Sequence, residues 1–201
     1  MQRIIGTPQA SLVAGLVIAA ILVGVALATS GAADPLGFFS FLIRFVHVLA
    51  AMVWIGLVFF INFVQLVALQ AADEQARGTL HKAIVPNVAW WLRHASTLTV
   101  IAGAILVFTM GYALPTLVYG TAVFVPPSRA LLLWSGVLGA LVMWMFVHMY
   151  IWPNMQVVLG LRPGDAKAKA QARARVIMFA RLNLVIALPV TIGMVAAAHL
   201  Y

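Results

Sequence analysis

Five long runs of apolar residues constrain the fold of this chain more than any other feature of its sequence. The runs cover residues 11–29, 38–71, 88–114, 129–160 and 176–200. About 20 apolar residues in an α-helix cross the ~30 Å hydrocarbon core of a bilayer, so each run is long enough to span it. Hydrophobic residues make up 65% of the chain and charged residues 8%, which is too apolar for a water-soluble domain. The sequence therefore predicts an all-α integral membrane helical bundle with about five transmembrane helices, forming a single transmembrane domain over residues 1–201.

The basic residues are distributed unevenly between the connections that join these spans. Ten of the twelve Lys and Arg residues lie on one predicted side, while the two opposite connections contain none. Cytoplasmic loops of membrane proteins are enriched in Lys and Arg. We therefore expect a multi-pass protein of the bacterial inner (cytoplasmic) membrane, with its N-terminus in the cytoplasm and its C-terminus in the periplasm. The net charge of +8 is attributed to this topology and not to a nucleic-acid partner.

The absence of cysteine restricts the cofactors that the chain could hold. With no Cys in the sequence, disulfides, zinc–thiolate sites, iron–sulfur clusters and covalently attached c-type haem are excluded. A redox centre would have to rest on His or Met. Four methionines surround His148 in the sequence, and thioethers favour Cu(I), but Met is also a common apolar filler. The four methionines are Met143, Met145, Met149 and Met155.

The histidines are the most informative polar residues, because ionisable groups inside a membrane are costly. Counting residues from the nearest charge places His47 and His199 near the outer surface, and His94 and His148 near the inner surface. Two His on different helices at matched depth could ligate a b-type haem. The sequence thus predicts an outer haem and suggests a second, inner one, stacked across the ~30 Å core. The fifth, His81, is interpreted as a solvated loop residue.

A polar and aromatic stripe along the second span supports the outer site. On a helical wheel His47, Trp54 and Gln65 share one face, with Arg44 and Asn62 to one side, and this face is expected to point into the bundle. Arg44 would pair with a haem propionate, because Arg forms charge-assisted hydrogen bonds with carboxylates. The alternative is that intramembrane His and Trp serve only as interhelical hydrogen-bond partners.

Several sequence blocks resemble the membrane domain of the bacterial cytochrome-c-linked urate hydroxylases, the urate oxidase N-terminal family. They are RFVHVLA at 44–50, WIG at 54–56, NFVQ at 62–65, WLR at 91–93 and IWPNMQ at 151–156, followed by Arg181, Asn183, Pro189 and His199. The resemblance covers residues 38–200 in the expected order. It implies that His47 and His199 form the functional pair, and that relatives oxidise urate to 5-hydroxyisourate and pass electrons to a cytochrome c.

The chain also departs from that family pattern. It lacks the Cys of a cytochrome c domain, so a cytochrome c is expected to be a separate partner. His94 and His148 stand where the family pattern leads us to expect aromatic residues, which again suggests a second haem.

Three functions remain open from the sequence. The first is a haem-b-binding electron-transfer protein or cytochrome b-type subunit, which passes electrons between a periplasmic redox protein and quinone or a larger complex. The second is a urate-oxidising membrane enzyme that uses a separate cytochrome c. The third is a haem-free accessory subunit that packs against a larger membrane complex through small residues such as Gly103, Gly136 and Gly139. No catalytic residue can be assigned.

Overall fold

The computed structural model describes residues 6–30, 34–110 and 126–200, and this part of the chain is helical throughout its regular structure. Eight α-helices and two π-helical segments follow one another along it. They are α1 (Pro8–Ser30), α2 (Pro35–Phe60), π1 (Ile61–Gln65), α3 (Leu66–Ala71), α4 (Glu74–Ala83), α5 (Val85–Thr109), α6 (Pro127–Met145), π2 (Phe146–Ile151), α7 (Trp152–Val158) and α8 (Ala166–His199).

Five helical stretches are long and apolar enough to cross a membrane, which confirms the prediction of an all-α protein with about five such helices. They are Pro8–Thr29, Pro35–Ala71, Glu74–Thr109, Pro127–Val158 and Ala166–His199. Exposed apolar side chains such as Val185, Leu188 and Ile192 lie on the outside of α8, where they suit contact with lipid. The orientation in the membrane and the choice of membrane stay predictions.

All five helical stretches begin before the apolar runs that predicted them, and the last three end before those runs do. The polar connection 72–87 contains α4, and α8 begins at Ala166, so the basic segment before the last span is largely helical. Both helices start at an aspartate cap: Asp73 Oδ1 accepts a hydrogen bond from the Ala76 N–H and Asp165 Oδ1 from the Ala168 N–H, each at 2.7 Å. Most of the connection predicted between 115 and 128 falls outside the described residues.

Backbone contacts divide the chain into two compact units, Met1–Phe41 and Leu42–Tyr201. The first unit holds α1 and the start of α2. The second holds the rest of α2 and all later elements, and it contains every residue assigned to a haem in the sequence analysis. The prediction of a single transmembrane domain stays a prediction.

Each π segment has a local cause. In π1 the amide of Asn62 donates hydrogen bonds to the carbonyl oxygens of Val58, at 2.8 Å, and of Ala180 on α8, at 3.1 Å. A side chain that binds the carbonyl four residues earlier disturbs the helical ladder. π2 ends two residues before Pro153, whose ring cannot fit against the carbonyl of a regular preceding turn.

Small residues bring α6 and α8 into close contact. A Cβ added to Gly139 would lie 2.5 Å from Val190 Cγ2, and one added to Gly193 would lie 2.9 Å from the Leu132 carbonyl oxygen. Met143, Val147 and Ala187 have no exposed surface in this region. Close backbone approach through glycine is typical of helix packing in membranes.

Candidate functional site

His47 lies against α5 in a setting that holds its imidazole in one orientation. Its Nδ1 is 2.9 Å from the carbonyl oxygen of Thr99, and because a carbonyl can only accept, Nδ1 carries the proton. A Cβ added to Gly103 would lie 2.9 Å from His47 Cε1, so the ring occupies space that only glycine leaves open. Nε2 keeps its lone pair and has no hydrogen bond within the described residues. This is the tautomer in which a histidine ligates a metal through Nε2.

Two further residues of the predicted outer site, Arg44 and Trp54, also have unused hydrogen-bonding capacity. Arg44 Nη2 lies 3.2 Å from the thioether sulfur of Met110, a weak acceptor, and Arg44 makes no ion pair within the described part of the chain. Trp54 is only 2% exposed, and its indole N–H has no partner. As expected, the stripe points into the bundle: Trp54 and Gln65 are buried, and Asn62 bonds across to α8.

His148 takes part in a closed hydrogen-bond arrangement with α5. Its Nδ1 donates to the carbonyl oxygen of Trp144 at 3.0 Å, and its Nε2 therefore accepts from the hydroxyl of Thr97 at 3.1 Å. The Trp144 indole N–H donates to the same hydroxyl at 3.2 Å, and the two rings stack with centroids 4.6 Å apart. Both imidazole nitrogens are engaged, so His148 could bind iron only after Thr97 released Nε2.

His94 shows the same relation to a preceding tryptophan. Its Nδ1 lies 2.7 Å from the carbonyl oxygen of Trp90, and the rings stack at 4.1 Å. His94 is exposed, and its Nε2 has no hydrogen bond among the described residues. His94 and Thr97 are one turn apart on α5, so the structure brings His94 and His148 to adjacent positions on that helix.

Along α5, His47 and His148 lie closer in height than the sequence analysis expects. His47 binds α5 at Thr99 and His148 binds it at Thr97, which is the midpoint of the 25-residue helix. These two residues are about 3 Å apart along the helix axis and about 200° apart around it. The two imidazoles therefore reach the middle of α5 from nearly opposite faces, and the expected separation of ~30 Å across the membrane is not found.

The error has a simple physical origin. A depth counted from Arg44 requires this residue to mark the outer end of its helix, but α2 already begins at Pro35. A long arginine side chain can leave a helix interior for a distant acceptor, as Arg44 does in reaching Met110.

His199 is the last residue of α8 and is exposed. No hydrogen bond or ring contact joins it to His47 within the described residues. Its pairing with His47 therefore stays a prediction that rests on the sequence.

Other candidate features of the sequence have structural roles. Met143 and Met155 are buried in the core, whereas Met149 is exposed, so the methionines around His148 do not face one site. The described residues contain no group of three His, Cys, Asp or Glu that could hold a metal ion. Gly103, Gly136 and Gly139 pack against His47, Met194 and Val190 of the same chain, respectively.

Sequence reasoning missed the residues of α5 that hold the histidines. The Trp-x-x-x-His spacing at Trp90/His94 and Trp144/His148 could have been found, because residues four apart meet on a helix. Thr97, Thr99 and Gly103 carry no such signal, since their partners come from other helices.

The residues around His47 fit one axial side of a haem. They offer an oriented imidazole with a free Nε2, a guanidinium without a carboxylate partner and an unpartnered buried N–H. The residues around His148 fit less well, because its Nε2 is already bonded.

Comparison of the chain with family models, with curated proteins and with solved structures gives no match. The resemblance to the urate hydroxylase membrane domain therefore stays an expectation based on the motifs alone.

Proposed function

We propose that this chain is a haem-b-binding electron-transfer protein of the bacterial inner membrane. In this role it passes electrons between a periplasmic redox protein, such as a cytochrome c, and quinone or a larger membrane complex. The observation that carries the proposal is the setting of His47, whose Nδ1–H is fixed by the Thr99 carbonyl and whose Nε2 is left free.

Each residue of the site has a defined part in this proposal. His47 would hold the haem iron through Nε2, and the Thr99 carbonyl fixes its tautomer and increases its basicity. Gly103 leaves room for the imidazole against α5. Arg44 binds a propionate, and the Trp54 N–H provides a further buried donor. A bound haem b would supply a one-electron iron couple, whose potential depends on its ligands and on the surrounding polarity.

The second residue that would hold the iron is His199, at the end of α8, and this assignment is supported by the sequence resemblance. His94 and His148 form a second candidate site, which would require Thr97 to release His148 Nε2. Because His47 and His148 contact α5 at nearly the same height and from nearly opposite faces, the residues of the two candidate sites are not placed at opposite ends of this helix.

The test is a dithionite-reduced minus oxidised visible spectrum of the detergent-purified protein, with haem counted per chain. We expect a b-type spectrum that is lost in His47→Ala and retained in Val48→Ala, whose side chain is exposed on the same helix. His148→Ala separates one haem from two, since only a second haem would be lost with it. Purified protein without haem, or His47→Ala with full haem content, would overturn the proposal.

A further inference from the structure

A cavity of about 280 Å³ lies between π1 and the helices α3, α4, α5, α7 and α8, away from the residues assigned to haem. Most of its lining is apolar, including Leu66, Val85 and Met155. Gln70 and Arg173 also line it and are exposed, so the cavity opens to the surface. Its volume is near the lower end of the ~300–1,000 Å³ typical of small-molecule sites. It could thus hold a head group and the beginning of a chain.

Two polar side chains in this cavity each have a buried atom without a hydrogen-bond partner. Gln65 is 8% exposed, and its side-chain carbonyl oxygen has no hydrogen-bond partner. His81 is not the solvated loop residue expected from the sequence, because it lies in α4 and lines the cavity, and its buried Nδ1 has no hydrogen-bond partner either. Buried polar groups in folded proteins are nearly always bonded to protein, water or ligand. These atoms therefore indicate that a polar group enters the cavity.

The charges around the cavity favour an anion as that polar group. Arg77 is held in place by hydrogen bonds to the carbonyl oxygens of Leu69, at 3.0 Å, and Ala72, at 2.9 Å. Neither Arg77 nor Arg173 forms an ion pair in the described part of the chain. The two carboxylates nearest in sequence to Arg77 do not line the cavity: Glu74 is exposed in the first turn of α4, and Asp73 is occupied as its cap. Two guanidinium groups and an imidazole thus line the cavity without a matching acid.

We propose that this cavity binds an acidic phospholipid, whose phosphate contacts Arg77, Arg173 and His81 while its acyl chain follows the apolar walls. A head-group hydroxyl would donate to the unpartnered oxygen of Gln65. Basic pockets between helices on the cytoplasmic side of membrane proteins bind anionic head groups in this way. The cavity lies at the end of the bundle where the two basic connections meet the spans. This inference is independent of the haem.

Titration of the delipidated full-length chain in detergent, followed by native mass spectrometry, tests the site. We expect phosphatidylglycerol to bind more tightly than phosphatidylcholine. Arg173→Gln should weaken binding of phosphatidylglycerol about fivefold, which corresponds to one cation near an anionic head group. Arg173→Lys, which keeps the charge, should retain most of the affinity. The matched control is Arg175→Gln, because Arg175 is exposed on the same helix and does not line the cavity.

Three results would overturn the proposal. The first is equal binding of the two lipids, and the second is an equal loss of affinity in Arg173→Gln and Arg175→Gln. The third is binding of inorganic phosphate as tight as that of phosphatidylglycerol, which would assign the cations to a free anion. Since Arg173 is exposed, its replacement is not expected to disturb folding, so a loss of binding can be attributed to the site.

Discussion

At the scale of single residues, the position of His47 depends on the absence of a side chain at Gly103. The imidazole lies where a side chain at position 103 would have to be, and this contact brings it close enough to bond the Thr99 carbonyl. The carbonyl accepts from Nδ1 and so determines which nitrogen is free. A glycine and a backbone oxygen thus control the chemistry of the histidine without being ionisable themselves.

Replacing Gly103 by alanine should displace His47. The new Cβ would lie 2.9 Å from Cε1 and 3.2 Å from Nδ1, both shorter than normal contacts, so the ring must shift and its bond to Thr99 must lengthen. We expect Gly103→Ala to lower the haem content or shift the b-type absorption maximum in the difference spectrum.

The matched control for this change is Gly56→Ala. A Cβ at position 56 meets nothing within 4 Å, and alanine is the better helix former, so its spectrum should equal that of the unaltered protein. Identical spectra for both variants would show that His47 is not a ligand or that its position does not matter.

At the scale of helices, π1 is both a local irregularity and a point of attachment. Asn62 uses both amide hydrogens there, one within its own helix and one on the Ala180 carbonyl of α8. The same segment ends at Gln65, which lines the cavity. π-Helical turns occur frequently at functional sites, where they redirect side chains that a regular helix would place elsewhere.

Substituting Asn62 by leucine should destabilise the protein by about 1 kcal/mol, because interhelical hydrogen bonds in membranes contribute amounts of this order. Asn154→Leu is the control: Asn154 makes a similar bond to its own helix, at 2.7 Å to the Tyr150 carbonyl, but none to another helix. Thermal unfolding in detergent measures both. A loss in Asn154→Leu as large as that in Asn62→Leu would show that the bond to α8 contributes nothing.

The helices could be predicted from the sequence much better than the positions of their polar groups. Apolar length identifies a span without knowledge of its neighbours, so all five were found. A single charge does not give the depth of a neighbouring residue, because α2 begins at Pro35 and Arg44 lies inside it. The contacts of Thr97 and Thr99 depend on which helices are adjacent, and this information is not present in local spacing.

At the scale of the whole molecule, the distribution of charge connects the two proposals. The cavity with Arg77 and Arg173 lies at the end of the spans where the basic connections are. Arg44 and Arg129 are the two Lys or Arg residues assigned to the other side. If the positive-inside rule sets the orientation, the cavity faces the cytoplasmic leaflet and the periplasmic partner approaches the opposite end.

The absence of native cysteine makes this orientation directly measurable, since any single introduced cysteine is the only thiol in the chain. The two substitutions are Gly78→Cys and Ser128→Cys. Gly78 lies on α4, where an added Cβ has no neighbouring atom within 4 Å, and Ser128 is exposed in the first turn of α6. We expect a membrane-impermeant maleimide to label the cysteine at 128 in intact spheroplasts and the cysteine at 78 only in inverted vesicles. The unaltered protein should take up no label in either preparation.

Labelling of both cysteines from the same side would contradict the five-span topology. Labelling with the sides exchanged would place the cavity at the periplasmic face and require the redox partner of His47 to approach from the cytoplasm.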